Sequence, residues 1–415
     1  MATKGKRVSR TQQRAALAKE AAGVVMPAYA DVCVVGGGAA GLVAAIVAAE
    51  KGASVVVLER DTACGRTILA TGNGRCNVAN TQLEPDLYND PSFVAQATGS
   101  HWIDDVLDFF RACGLAWEEE AEGRLYPLSR QAASVRNVLL NRAVRAGVVL
   151  APLREVADVT YTKTRLVVSY RELFGAERLA SIRARSVVIA TGGGVPAACQ
   201  GLDLQARELI PLLCPLACTG PVLGELDGRR AHAQVTLVRD GSTVMAQRGE
   251  VLFRAYGLSG IVVFNLSRYA LPGDELVLDL IPNMTAQEAQ RLATHTLDGL
   301  LDPAIAKALA ATVNAATADS GPRPDPAQAT SRTLELAKQL RYRVQGTTDE
   351  GHAQVHRGGL ATSQFDPLTL QAYGVPGLFA CGEALDVDGP CGGYNLAWAW
   401  KSGLVCGTAT AGRRL

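Results

Sequence analysis

Residues 31–60, DVCVVGGGAAGLVAAIVAAEKGASVVVLER, change their apolar pattern twice. Val32 to Val35 form a continuous apolar run without polar alternation, the mark of a parallel strand buried on both faces. Glycines interrupt it, small apolar residues continue for the length of a helix, and a second apolar run ends at Glu59. That order predicts a βαβ unit. A strand followed by glycines recurs in SVVIATGG, residues 186–193. The chain closes on GLFACGEALDVDGPCGGYNLAWAWKSG, residues 377–403, where Tyr394 to Trp400 predict a helix.

Between these ends the pattern is different. Residues 218–280 hold short runs of β character, AQVTLV, EVLF, GIVVF and ELVLDL, separated by Gly, Asp and Pro, and predict a small β subdomain. Residues 285–318 and 326–343 turn to Ala, Leu, Gln and Glu with helical spacing, on either side of the breaker GPRPDP. Strand character returns near residue 353.

A chain of 415 residues, 48% hydrophobic and 20% charged, suffices for two or three domains with substantial cores. A net charge of +1 gives no global field for nucleic acid or acidic lipid, so the expected partner is a small molecule and not a nucleic acid. The start is locally basic, with Lys4, Lys6, Arg7, Arg10, Arg14 and Lys19 against Glu20, and reads as a solvated tail. No apolar run is long enough to cross a bilayer, and the basic start lacks the apolar stretch of a secretory signal, so a cytoplasmic protein is expected. The ten cysteines show no CxxC or metal-finger spacing and read as reduced packing thiols; a disulfide or metal site on a helix face shared by Cys214 and Cys218 is the minor alternative. His232, His295, His352 and His356 make no metal cluster, and no metal is expected; His352 and His356, four apart in an extended segment, are each a candidate proton donor. Oligomeric state leaves no trace in the sequence.

The βαβ unit carries a definite chemistry. Gly36 permits the tight turn out of the strand, Gly38 lets a pyrophosphate approach the backbone, and Gly41 lets the helix pack on the strand. The first helical turn, with Ala39 and Ala40, offers unpaired N–H groups to the anion. Glu59, followed by Arg60, stands where a carboxylate accepts both ribose hydroxyls, which favours FAD or NAD over NADP. Since both ends of the chain carry glycine-rich turns, one cofactor site closed by distant segments is expected.

GRTILATGNGRCNVANT, residues 65–81, resembles the signature of the HI0933-like flavoproteins, also called the YhiN or BaiN family. The chain is similar to that family again at GRLYPLSRQAASV (123–135), SVVIATGG, GEVLFRAYGLSG (249–260) and the closing stretch, so the resemblance covers nearly everything after residue 30. It implies an α/β fold: an FAD-binding Rossmann-like domain of the glutathione-reductase type with an inserted β-barrel-like subdomain and a helical subdomain. Mapped onto this chain, the plan is a tail over 1–28, a discontinuous FAD domain over 29–200 and 350–415, a β-rich insert over 201–282 and a helical insert over 283–349.

On the same resemblance FAD is held by the glycine turn and Glu59 with Arg60, and by Arg66, Asn73, Gly74, Arg75, Cys76 and Asn77 of the signature. The backbone of Val156 would meet adenine, Ala190, Thr191 and Gly192 would supply a second turn, and Gly382, Glu383, Asp386, Gly392, Gly393, Tyr394 and Asn395 would close the site. A helix starting at Tyr394 aims its positive end where a reduced flavin gathers negative charge. Arg75, a fixed cation, suits a phosphate, a ring oxygen or a substrate carbonyl, while Cys76 reads as a packed loop residue. Tyr394, Arg75, Tyr256 and Arg254 are the substrate-side candidates.

The implied activity is an FAD-dependent oxidoreductase that passes hydride from NAD(P)H through flavin to a C=C bond conjugated to a carbonyl, as in steroid or bile-acid enones. A flavin-dependent amine oxidase and a non-catalytic flavin-binding or RNA-associated protein are the alternatives. The chain departs from the family at Thr67, where lysine is usual, at Arg254 and Ala255, where Thr-His is usual, and at Ile261, where proline is usual. The loop GGVPAACQGLDLQ after ATGG is also altered. These departures imply a different substrate or weakened activity.

Overall fold

Five parallel strands lie at the centre of the larger part of the protein, in the order Val149–Ala151, Val55–Leu58 (β2), Tyr29–Val35 (β1), the end of Arg178–Ile189, and Leu378–Ala380. A computed structural model describes residues 10–162, 165–193, 197–293, 296–318, 325–348 and 353–412. It divides into two compact units, one of residues 1–210 and 356–415, the other of residues 211–355.

In the first unit Val34 of β1 sits between Val57 and Val188, and every residue of β2 is buried, which is why these strands read as unbroken apolar runs. The first part of Arg178–Ile189 pairs antiparallel with Leu166–Glu172, and that strand pairs with Arg154–Tyr161. Helix Ala39–Glu50 (α2) packs against the C-terminal helix Tyr394–Gly412 through small residues. A Cβ on Gly403 would lie 2.6 Å from the Ala40 carbonyl oxygen, and one on Gly407 2.7 Å from that of Ala44. The helices touch backbone to backbone and run the same way. A separate small sheet joins Ala79–Asn80, Arg124–Pro127 and Trp117–Glu119.

The second unit is built on a closed barrel, in the order Leu216–Thr219, Gly257–Ser259, Ser242–Arg254, Arg230–Arg239, Glu275–Asp279 and Leu340–Thr347. Helices Ala286–Leu292, Pro303–Ala318 and Pro326–Lys338 accompany it, the first opened by a capping box of Thr285 and Glu288.

Several local expectations change. Residues 340–343, read as helical, belong to the strand Leu340–Thr347, whose Leu340, Tyr342 and Val344 face inward while Arg341, Arg343 and Gln345 face outward. The run GIVVF, read as a strand, forms helix Ile261–Ser267 after Gly260, whose φ of 105° breaks the preceding strand. Five apolar residues alone do not distinguish a strand from a buried helix. Cys218 lies on strand Leu216–Thr219, with Cys214 just before it, so they share no helix face. The basic start contains helix Arg10–Ala22 (α1), with Ala21 fully buried and its carbonyl oxygen accepting a hydrogen bond from Arg154 at 3.1 Å. His295 and His352 lie outside the described residues.

Candidate functional site

The glycine turn has the geometry that its spacing implies. Gly36 adopts φ 103°, and a Cβ there would lie 2.4 Å from the Ala190 carbonyl oxygen; a Cβ on Gly41 would lie 2.0 Å from the Gly36 oxygen. Gly38, by contrast, would meet only the Thr67 hydroxyl at 3.5 Å, so space remains above it for a ligand. No side chain caps α2 after Gly38, which leaves the N–H groups of its first turn for an anion. Glu59 accepts the Gly37 N–H at 2.7 Å and the Asp61 N–H at 2.8 Å. The carboxylate thus keeps the turn in shape and has lone pairs left over for a ribose. Replacing Glu59 with alanine should weaken FAD at least about tenfold, the effect of losing one charge-assisted contact; an unchanged dissociation constant in a flavin-fluorescence titration would remove this residue from the site.

Other segments arrive at the same turn. Ala190 N–H donates to Val35, placing Ala190, Thr191 and Gly192 beside Gly36. A Cβ on Gly382 would lie 2.9 Å from that of Ala40, and the Gly382 N–H donates to Ser402 Oγ at 2.9 Å. Arg154 N–H donates to the Glu59 carbonyl at 2.8 Å, so Val156 lies on a strand that starts beside β2, next to a register irregularity.

A second focus forms where the signature meets the closing motif, more than 300 residues later. Asn80 Nδ2 donates to the Gly392 carbonyl at 2.9 Å, Trp400 Nε1 to that of Val78 at 2.8 Å, and Tyr88 hydroxyl to that of Tyr394 at 2.8 Å. Gly393, with φ 99°, presses so closely on this loop that a Cβ would lie 2.5 Å from the Ala79 oxygen and 2.8 Å from Asn77 Oδ1. Asn77 Oδ1 is buried without a hydrogen-bond donor among the described residues. A buried carbonyl of this kind is costly unless something completes it. In the helix register Gly403 lies nine residues after Tyr394, and Ala40 one residue after Ala39, so the start at Tyr394 projects eight residues, about 12 Å, beyond the start of α2. A dinucleotide with its pyrophosphate at one helix start and its ring at the other fits that stagger.

The remaining expected residues differ in how free they are. Asn395 Oδ1 accepts the Gly389 N–H and its Nδ2 donates to Gly389 and Pro390 carbonyls, so its side chain is spent on its own loop. Asp386 is buried and occupied by Arg207 at 2.6 Å and the Gly358 N–H at 2.8 Å. Glu383 accepts the His356 N–H at 2.7 Å, with His356 Nδ1 3.4 Å away, an arrangement that the sequence spacing did not reveal. Arg66 pairs with Asp61 at 2.9 Å, and Arg60 is exposed. Asn73 and Gly74 have φ 54° and 82°. Tyr394 is buried, and burial, followed by the Glu122 carboxylate, raises its phenol. Arg254 and Tyr256 belong to the second unit, on the barrel turn, where Arg254 Nε is 3.4 Å from Asp227.

Cys76 is fully buried, and burial pushes its thiol up to about 11. Nine of the ten cysteines are buried; Cys391, beside Gly392, is the partly exposed one. A thiol reagent such as 5,5′-dithiobis(2-nitrobenzoate) should therefore label Cys391 in the folded protein and all ten on unfolding, as counted by absorbance; rapid native labelling of Cys76 would contradict its packing role. Among the described residues no group of three or more metal-binding side chains comes together, and no helix is long and apolar enough to cross a membrane.

The HI0933-like protein Rossmann domain matches residues 30–409. The chain belongs to the HI0933-like family. Membership makes it a flavin oxidoreductase by class, and the glycine turn, the staggered helix starts and the orphaned Asn77 carbonyl suit a flavin dinucleotide. The family relatives span the chain almost end to end. A 3-dehydro-bile acid delta(4,6)-reductase of Clostridium scindens is 31% identical over 405 residues, covering 92% of this chain and 98% of that protein. A ribosomal RNA dihydrouridine synthase of Escherichia coli is 30% identical over 401 residues, covering 91% and 96%. The synthase of that name from Haemophilus influenzae is 26% identical over 406 residues, covering 92% and 98%.

Proposed function

We propose that the protein is an FAD-dependent reductase of a C=C bond conjugated to a carbonyl, with a reduced nicotinamide as electron donor and a steroid- or bile-acid-like enone as substrate. The observation that carries this reading is that relatives named for dissimilar substrates share one chemistry. A delta(4,6) bond beside a 3-oxo group and the C5=C6 bond of uridine are both alkenes conjugated to a carbonyl. Bound flavin would supply the hydride. The residues that would hold it are the turn Gly36–Gly41, Glu59, the backbone around Ala190, and the Asn77, Gly392 and Gly393 focus. Tyr394 and Arg75, both of the first unit, remain candidates for substrate contact there, the phenol of Tyr394 as the proton donor.

The RNA reading has its own support in the two synthases and in the six basic residues of the first twenty, although the whole chain carries only +1. The test offers the FAD-loaded protein and NAD(P)H either a 3-oxo-Δ4 bile acid or unmodified ribosomal RNA, and follows the gain of two hydrogen atoms by mass spectrometry. Reduction of the acid alone supports the first reading, and reduction of the RNA alone replaces it with the second. Reduction of neither overturns both.

A further inference from the structure

Arg75, unlike Arg66, Arg124 and Arg130, has no carboxylate partner among the described residues. Arg66 lies on Asp61, Arg124 on Glu122, and Arg130 on Glu118 and Glu120. The Arg75 guanidinium instead stands 4.7 Å from the ring centre of Tyr126. Tyr126 is 5% exposed, and its ring also carries the guanidinium of Arg130 at 5.5 Å. Two cations against one ring repel each other unless one is neutralised, and the two glutamates neutralise Arg130. That leaves Arg75, which is exposed, with no carboxylate beside it among the described residues.

The loop beneath is built to hold this position. Gly72, Asn73, Gly74 and Cys76 all have positive φ, at 55°, 54°, 82° and 57°. Asn73 and Cys76 adopt this conformation against the preference of residues with a side chain, and such strain persists only where the surroundings enforce it. The Cys76 N–H donates to Thr71 at 3.0 Å, Cys76 is buried, and a Cβ on Gly72 would touch the Tyr126 ring at 3.8 Å. The same loop ends at Asn77, the orphaned carbonyl of the candidate flavin focus. Arg254, the other cation expected on the substrate side, already faces Asp227.

We infer that Arg75 receives the oxyanion into which the substrate carbonyl is converted during reduction, and that Tyr126 is the positioning residue that holds the guanidinium for it. The inference rests on the reductase reading. Hydride added at the β carbon forms a C–H bond and breaks the π bond; the displaced pair moves through the α carbon onto the carbonyl oxygen. A proton arriving at the α carbon restores the carbonyl. The two electrons come from the reduced nicotinamide, and the only charge that must be held in between is on that oxygen, where an immobile cation is most effective.

The test uses 4-chlorophenol, whose phenolate imitates an enolate, titrated into the FAD-loaded enzyme over a range of pH and followed by its long-wavelength absorbance against oxidised flavin. Wild type should bind the ionised form. Arg75→Met should bind it at least about tenfold more weakly and lose the preference for ionised over neutral phenol, Tyr126→Leu should lose about fivefold, and Tyr126→Phe should stay within about twofold because the ring is what holds the cation. In turnover with an enone, Arg75→Met should lower kcat about a hundredfold with little change in KM. Equal phenolate binding by wild type and Arg75→Met, equal loss in the Phe and Leu variants at Tyr126, or no phenolate binding by wild type would each overturn the inference. Protein that takes up no flavin would overturn the reductase reading instead, and equilibrium dialysis of the same phenol then still decides whether Arg75 holds an oxyanion.

Discussion

Alanine at Gly393 should yield a protein that no longer retains flavin. The methyl group would lie 2.5 Å from the Ala79 carbonyl oxygen and 2.8 Å from Asn77 Oδ1, at φ 99°. The nearer obstacle is backbone, anchored by the small sheet of Ala79–Asn80, so the closing motif must back away from the signature loop. Backbone strain of about 1–3 kcal/mol and overpacking of similar size fall on the contact that joins segments 300 residues apart. Flavin-to-protein ratio and melting temperature should both fall. Gly114→Ala supplies the control: its φ of 84° carries the conformational cost, but nothing lies within 4 Å of the new methyl and the position is outside the site, so the loss should stay near about 1 kcal/mol with flavin kept. Full flavin retention in the Gly393 variant would show that the two segments do not form one site.

The second large effect is destabilisation in alkali. Burial raises the thiols of Cys33, Cys64, Cys199 and Cys218 from an ordinary 9.0 to about 12, and that of Cys76 to about 11. Well below pH 9 each is protonated whether folded or unfolded and contributes almost no pH dependence. Above it the unfolded chain loses these protons first, so the unfolded state binds fewer of them and folding stability falls as pH rises toward 12. Each thiol contributes up to about 1.4 kcal/mol per pH unit, and the five together about 5 kcal/mol between pH 9 and 10. Urea midpoints measured at pH 8, 9 and 10 should drop steeply over the last interval, and Cys33→Val with Cys218→Val should flatten the drop. Midpoints independent of pH up to 10 would contradict the burial of these groups.

The legible parts of the sequence were those with a local cause. Gly36, Gly38 and Gly41 each answer to a different spatial demand, and β1 and β2 are apolar throughout because both faces are covered. What escaped depends on distant neighbours. Nothing around GIVVF distinguishes a strand from helix Ile261–Ser267 until the barrel is assembled beside it. The alternation of LRYRVQ was present in the sequence but lay at the end of a helical stretch, and it closes the barrel. At the site, Asp386 and Asn395 carry the right groups, but their partners Arg207, Gly358 and Gly389 consume them. Tyr126 lay within GRLYPLSRQAASV with no chemistry to single it out; the role inferred for it rests on the packing of both Arg75 and Arg130 against its ring.

The central claim is that a flavin held between these distant segments reduces a conjugated alkene. Anaerobic stopped-flow spectroscopy tests it most directly: the FAD-loaded protein is bleached with NADH or NADPH, then mixed with a 3-oxo-Δ4 bile acid in the absence of oxygen. The flavin absorbance should return at a rate that rises with enone concentration, with one reduced product formed per flavin. Flavin that stays bleached with the enone and with unmodified ribosomal RNA, and recovers only when oxygen is admitted, would contradict it.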